Sequence, residues 1–213
     1  MSYGIMAYAV SLEKVESALG KSNAKRGLLG RLFGPSTDSL VEKIKQKSAY
    51  RFEQDEEDLD EEDEGQPLTL QQALVDLLDG NDLRSSYGDK YGYALELLCE
   101  HFGESLDNSA WSAMRIEWAE QVQEEMTQVG IEENAISLTN HLMFRGSPIQ
   151  IPGPTDSPAI GFLRNDEIER AANAIDAADL SNMDEDVEES VLQIRAWLRQ
   201  CKELNSDLVC FYY

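Results

Sequence analysis

The chain of 213 residues is poor in the side chains from which metal and catalytic sites are most often built, with two histidines and three cysteines. An odd set of cysteines, Cys99, Cys201 and Cys210, defines no disulfide framework and fits the reducing cytoplasm. Positive charge is also scarce. Eighteen Lys and Arg stand against 41 Asp and Glu, a formal net charge of -23. Such a chain repels phosphate, so neither nucleic acid nor an anionic membrane surface is expected as a partner. Long apolar runs are missing, and none approaches the roughly 18 residues needed to cross a bilayer. The opening Met1 to Val10 lacks a charged leader and a small-residue cleavage site, so no signal peptide is expected. These absences together predict a soluble, cytoplasmic protein.

What is present suffices for folding. A composition of 42% hydrophobic and 28% charged residues is ordinary for a globular protein, and this length buries one substantial core. Charge is distributed unevenly: residues 1–52 carry +5 and residues 53–213 carry -28. Ten of the twelve residues from Glu53 to Glu64 are acidic, with no lysine or arginine among them. A run so self-repelling reads as an acidic flexible insertion over 53–66.

Hydrophobic periodicity places the elements. Ser2 to Val10 is nearly continuous in apolar residues and predicts a strand buried on both faces. Ser11 would start a short helix that Gly20 stops. Lys21 to Pro35, with four positive charges and three glycines, reads as an exposed loop, and Asp38 begins a helix reaching about Lys47. Thr69 and Gln72 suggest a capping box for a helix ending at Gly80. From Asp89 to Phe102, Tyr91, Ala94, Leu95, Leu98, Cys99 and Phe102 share one helical face, with Tyr93, Glu96 and Glu100 on another side. Helices are also expected over about 109–129, 138–144, 165–178 and 184–204. Four prolines between Pro148 and Pro158 favour extended chain. Residues 159–163 and 207–213 read as strands. The pattern predicts a helix-rich α+β single domain spanning 1–213, its small sheet formed by the N-terminal, C-terminal and 159–163 strands.

Two blocks carry a resemblance. Gly4-Ile-Met-Ala-Tyr-Ala-Val-Ser-Leu-Glu-Lys-Val and the closing Asp207-Leu-Val-Cys-Phe-Tyr-Tyr look like the ends of small bacterial proteins of the YfbM-like kind. Tyr91-Gly-Tyr-Ala-Leu-Glu-Leu-Leu-Cys-Glu-His-Phe-Gly, with Leu106-Asp-Asn and Pro158-Ala-Ile-Gly-Phe, is similar to a bacterial family of unknown function. The resemblance implies a cytoplasmic bacterial α+β domain and brings no activity, cofactor or catalytic residue with it.

No catalytic constellation emerges. Gly20-Lys-Ser lacks the upstream glycine of a phosphate-binding loop, whose place Val15 takes. Cys99 and His101 stand about 200° apart around a helix and cannot share a metal without breaking it. No acidic segment has the glycine of a calcium loop, and Asp184 to Glu189 read as first-turn acids meeting a helix dipole. Neither metal nor cofactor is therefore expected. The richest grouping of site-capable side chains is Tyr87, Tyr91, Tyr93, Trp111 and Trp118, with Glu96, His101 and Arg115, and the candidate binding residues are Tyr91, Tyr93, Glu96, Trp111 and Arg145. Aromatic residues with polar tips suit an interface or a pocket wall, and they suit a core equally well. Glu96, inside an apolar stretch, would need an arginine such as Arg115, Arg145 or Arg164 if buried. The sequence points to a non-catalytic binding or regulatory protein, of antitoxin or immunity type, with a basic protein as partner. The alternative is a small-molecule-binding domain or enzyme with a pocket near the tyrosine-rich helix 89–102.

Overall fold

One four-stranded antiparallel sheet organises an otherwise helical chain, in a computed structural model that describes residues 4–20, 37–57, 67–112 and 114–213. The three expected strands join as β1 (Ile5–Val10), β3 (Ala159–Leu163) and β4 (Asp207–Tyr212), with a short β2 (Gly103–Ser105) completing the order β2-β1-β4-β3. Among the described residues the α-helices are α1 (Leu12–Ala18), α2 (Thr37–Lys47), α3 (Ala49–Glu57), α4 (Leu70–Asp79), α5 (Gly88–Phe102), α6 (Ile116–Gln128), α7 (Asn165–Ala177) and α8 (Glu185–Leu204). The fold is helix-rich α+β. The chain divides into two compact units.

The first unit comprises Met1–Leu12, Gly103–Pro148 and Ser157–Tyr213 and holds the whole sheet. β4 is central, pairing Cys210 with Ala7 on one side and with Gly161 on the other. Because side chains alternate across a strand, Ile5, Ala7, Ala9, Leu208 and Cys210 share a face and enter one core with α6, α7 and α8. On the opposite face Tyr8, Val10, Val209 and Phe211 are buried as well, and Tyr8 meets Phe211 edge to face at 5.9 Å. The terminal strands are therefore covered on both sides, as their unbroken apolar runs require. A single carboxylate ties the strand ends to the helices. Asp207 accepts the first helical N–H of α1, from Leu12 at 2.9 Å, and that of α7, from Asn165 at 3.1 Å.

Against the core-side face of β3 the chain makes a wide turn over Leu138–Met143. Gly161 faces the turn so closely that a Cβ there would lie 2.2 Å from the Leu142 carbonyl carbon. The strand's outward carbonyls are also taken: Gly146 N–H donates to Ile160 O, and the Arg145 guanidinium to Phe162 O.

In the second unit, Glu13–Phe102 with Ile149–Asp156, the described elements are helices. α5 is its centre, since Tyr91, Gly92 and every residue from Ala94 to Cys99 are buried. The inward stripe expected from periodicity is thus widened to most of the circumference, which is what a helix enclosed by neighbours requires. α4 begins as foreseen with the Thr69 hydroxyl accepting from Gln72 N–H, and it ends at Gly80 with φ 73°. Asp89, at the start of α5, accepts from the backbone of Thr155 and Asp156 and so holds the proline-rich segment.

Two expectations need correction. Glu53 to Glu57 are not an unstructured insertion but the last turns of α3, because Asp55 turns inward. Its carboxylate accepts from Leu70 N–H at 2.7 Å, capping α4, and pairs with Lys90. The rest of the tract, 58–66, and the whole of the loop expected over Lys21 to Pro35 lie outside the described residues. The helix expected over 109–129 is interrupted: one tight turn at Ser109–Trp111 precedes α6. Ser112 donates its hydroxyl to Ser109 O and is extended, a local bond that competes with continuous helix.

Candidate interaction site

The five candidate residues fall into separate units. Tyr91, Tyr93 and Glu96 lie on α5 of the helical unit, whereas Trp111 and Arg145 belong to the sheet-bearing unit. Tyr91 is fully buried, and its hydroxyl donates to Asp76 Oδ2 and accepts from Arg84 N–H, both at 3.1 Å. Burial pushes its phenol pKa up. Tyr93 is half-buried on the same helix. Glu96, with no exposed surface, receives both guanidinium nitrogens of Arg51, at 2.6 and 2.9 Å. The partner is none of the three arginines suggested by the sequence. Arg51 stands 45 positions upstream on α3 and reaches Glu96 because α3 and α5 belong to one helical unit.

In the sheet-bearing unit Trp111 is a core residue. Its indole N–H donates to Ser190 O at 3.1 Å, and its ring lies 6.4 Å from that of Trp197. Arg145 makes a two-pronged pair with Glu167 at 2.8 and 2.9 Å, and its guanidinium lies 4.1 Å above the Phe162 ring. Hydrogen bonds from Arg145, with another from Arg164 N–H, hold the Glu167 carboxyl below its usual range despite partial burial. His141 accepts Ser137 N–H at Nδ1, 2.9 Å away, which only a neutral imidazole can do. Burial, with Arg145 nearby, keeps its pKa below the ordinary value.

The thiols are equally committed. Cys201 is buried and its pKa is pushed up to about 12 by desolvation. Cys210 is raised as well, for the same reason. Among the described residues no group of three or more His, Cys, Asp or Glu is placed to hold a metal ion.

A different arrangement emerges where α6 and α8 begin. An open groove of about 520 Å³ is lined by Met114, Arg115, Glu117, Trp118, Asp186 and Glu189, among others. Arg115 directly precedes α6, placing Glu117 in its first turn and the half-buried Trp118 beside it. Asp184 caps α8 by accepting Asp186 N–H, which sets Asp186 and Glu189 in the first turns of that helix. The first-turn reading therefore holds for Asp186, while Glu189 follows one turn on, and both line the groove. A bond from Asp184 N–H to Glu125 joins the end of α6 to the start of α8.

Glu117, Asp186 and Glu189 are exposed, and none forms an ion pair among the described residues. Trp118 differs from Trp111 and Trp197, whose indole N–H groups donate to Ser190 O and Asp107 O; its own has no acceptor among the described residues. Periodicity alone assigns Trp118 to the inward stripe of α6 with Val122. Only the approach of α8, some 70 positions later in the chain, makes it the wall of a groove, and no local signal announces that approach.

Comparison with known families then places the molecule. Residues 1–213 match DUF7691, described as a domain of unknown function. The chain belongs to the DUF7691 family. No curated protein and no solved structure matches it. The match spans the whole length and so includes both units of this DUF7691 protein, among whose described residues no helix is long and apolar enough to cross a membrane.

Proposed function

We propose that this DUF7691 protein is a non-catalytic binding or regulatory protein that acts in the bacterial cytoplasm, as its YfbM-like ends suggest, and docks a basic protein. An antitoxin or immunity role fits, since an acidic face is steered onto the cationic active face of a nuclease. The observation that supports this reading most is the groove between α6 and α8. There, exposed unpaired carboxylates surround a tryptophan with an unused donor, on a chain of net charge -23. Interfaces are richest in such aromatic anchors within a charged rim. The side chains with catalytic potential are instead committed to structural pairings, Glu96 to Arg51, Tyr91 to Asp76 and Glu167 to Arg145. That leaves the alternative of a pocket near residues 89–102 with less support.

Immobilised protein should retain a small set of basic proteins from extract of the native cell, and raising salt above about 0.15 M should release them as screening grows. Retention of nucleic acid at that salt, or of proteins without regard to charge, would overturn the reading.

A further inference from the structure

We infer that the groove between α6 and α8 is the seat of an arginine side chain presented by the basic partner. This rests on the preceding reading and adds the place and the chemistry of contact. Glu117 on one helix, and Asp186 and Glu189 on the other, supply three carboxylates without ion-pair partners among the described residues. Trp118 and Met114 supply apolar walls between them. A strongly hydrated ammonium or divalent ion would gain little from an indole face. A guanidinium is planar and weakly hydrated, stacks on tryptophan and bonds a carboxylate through two parallel N–H groups. The Trp118 indole N–H, which has no acceptor among the described residues, is then available to a backbone carbonyl beside the incoming arginine. Arg115, in the same lining, is a like charge that opposes the guest.

The test uses the full chain and an acetylated, amidated hexa-arginine peptide, titrated at about 0.15 M salt. Tryptophan emission reports on the groove, because Trp111 and Trp197 are buried and Trp118 is not. Binding should shift the emission. A triple variant, Glu117→Gln, Asp186→Asn and Glu189→Gln, should weaken it at least about tenfold, two or more lost charge-assisted bonds being of that order. A control of equal charge loss at exposed positions elsewhere, Glu132→Gln, Glu133→Gln and Glu169→Gln, should change it less than about twofold. Trp118→Leu, which removes the reporter and is therefore titrated by calorimetry, should weaken binding severalfold, and Arg115→Gln should tighten it. Circular dichroism on each variant guards against misfolding.

Equal losses from the two triple variants would mean diffuse attraction and overturn the groove. So would a peptide that fails to bind. Neither result touches the capture of a basic protein, which stands or falls on the extract experiment.

Discussion

A buried carboxylate is tolerated only when its charge is met, and Glu96 shows how completely one side chain can decide this. With Glu96 fully enclosed, replacing Arg51 by Met would strand a charge and should cost about 3–5 kcal/mol of stability in urea unfolding. The double variant Arg51→Met with Glu96→Leu should recover much of that loss, since an apolar pair of similar volume removes both desolvation penalties. His141 permits a pH prediction of definite sign. Its folded pKa is depressed, so the unfolded chain binds the proton first. The contribution is full above about pH 6.5, the ordinary histidine value, and is lost as pH falls through the lower folded value. Thermal midpoints should therefore drop between neutral pH and about pH 5, and His141→Gln should flatten that slope. The sequence marked Glu96 as an acid that would need an arginine if buried, because a charge amid Ala94, Leu95, Leu97 and Leu98 is anomalous in itself. It could not name Arg51, since no rule of spacing relates α3 to α5.

At the scale of elements, what was legible is what periodicity and punctuation control. α8 begins at its Asp184 cap and β4 follows as foreseen, because each is one uninterrupted pattern. β2 escaped notice because three residues set no alternation, and they directly extend α5. The start of the acidic tract, residues 53–57, was misjudged for a related reason: net charge says nothing about one member that turns inward. Asp55 caps α4 and pairs with Lys90, so deletion of residues 53–66 should lower the melting midpoint substantially. Asp55→Asn alone should cost about 1–3 kcal/mol, the penalty for a weakened buried acceptor. A deletion that leaves the melt within a few degrees would show that α3 does not support α4.

For the molecule as a whole, the sealing of β3 has a consequence for its behaviour at high concentration. Sheets grow by recruiting another chain along an unpaired border, and proteins that remain dispersed must deny that border to their neighbours. Here one border strand, β2, offers three residues, and the other has its carbonyls engaged by Gly146 and Arg145. Gly161 makes this possible, because any side chain there would push the turn at Leu142 away. Gly161→Val should thus convert a dispersed protein into one that scatters light and binds thioflavin on standing, while wild type stays clear. The residue would then be kept small to keep copies of the chain apart from one another.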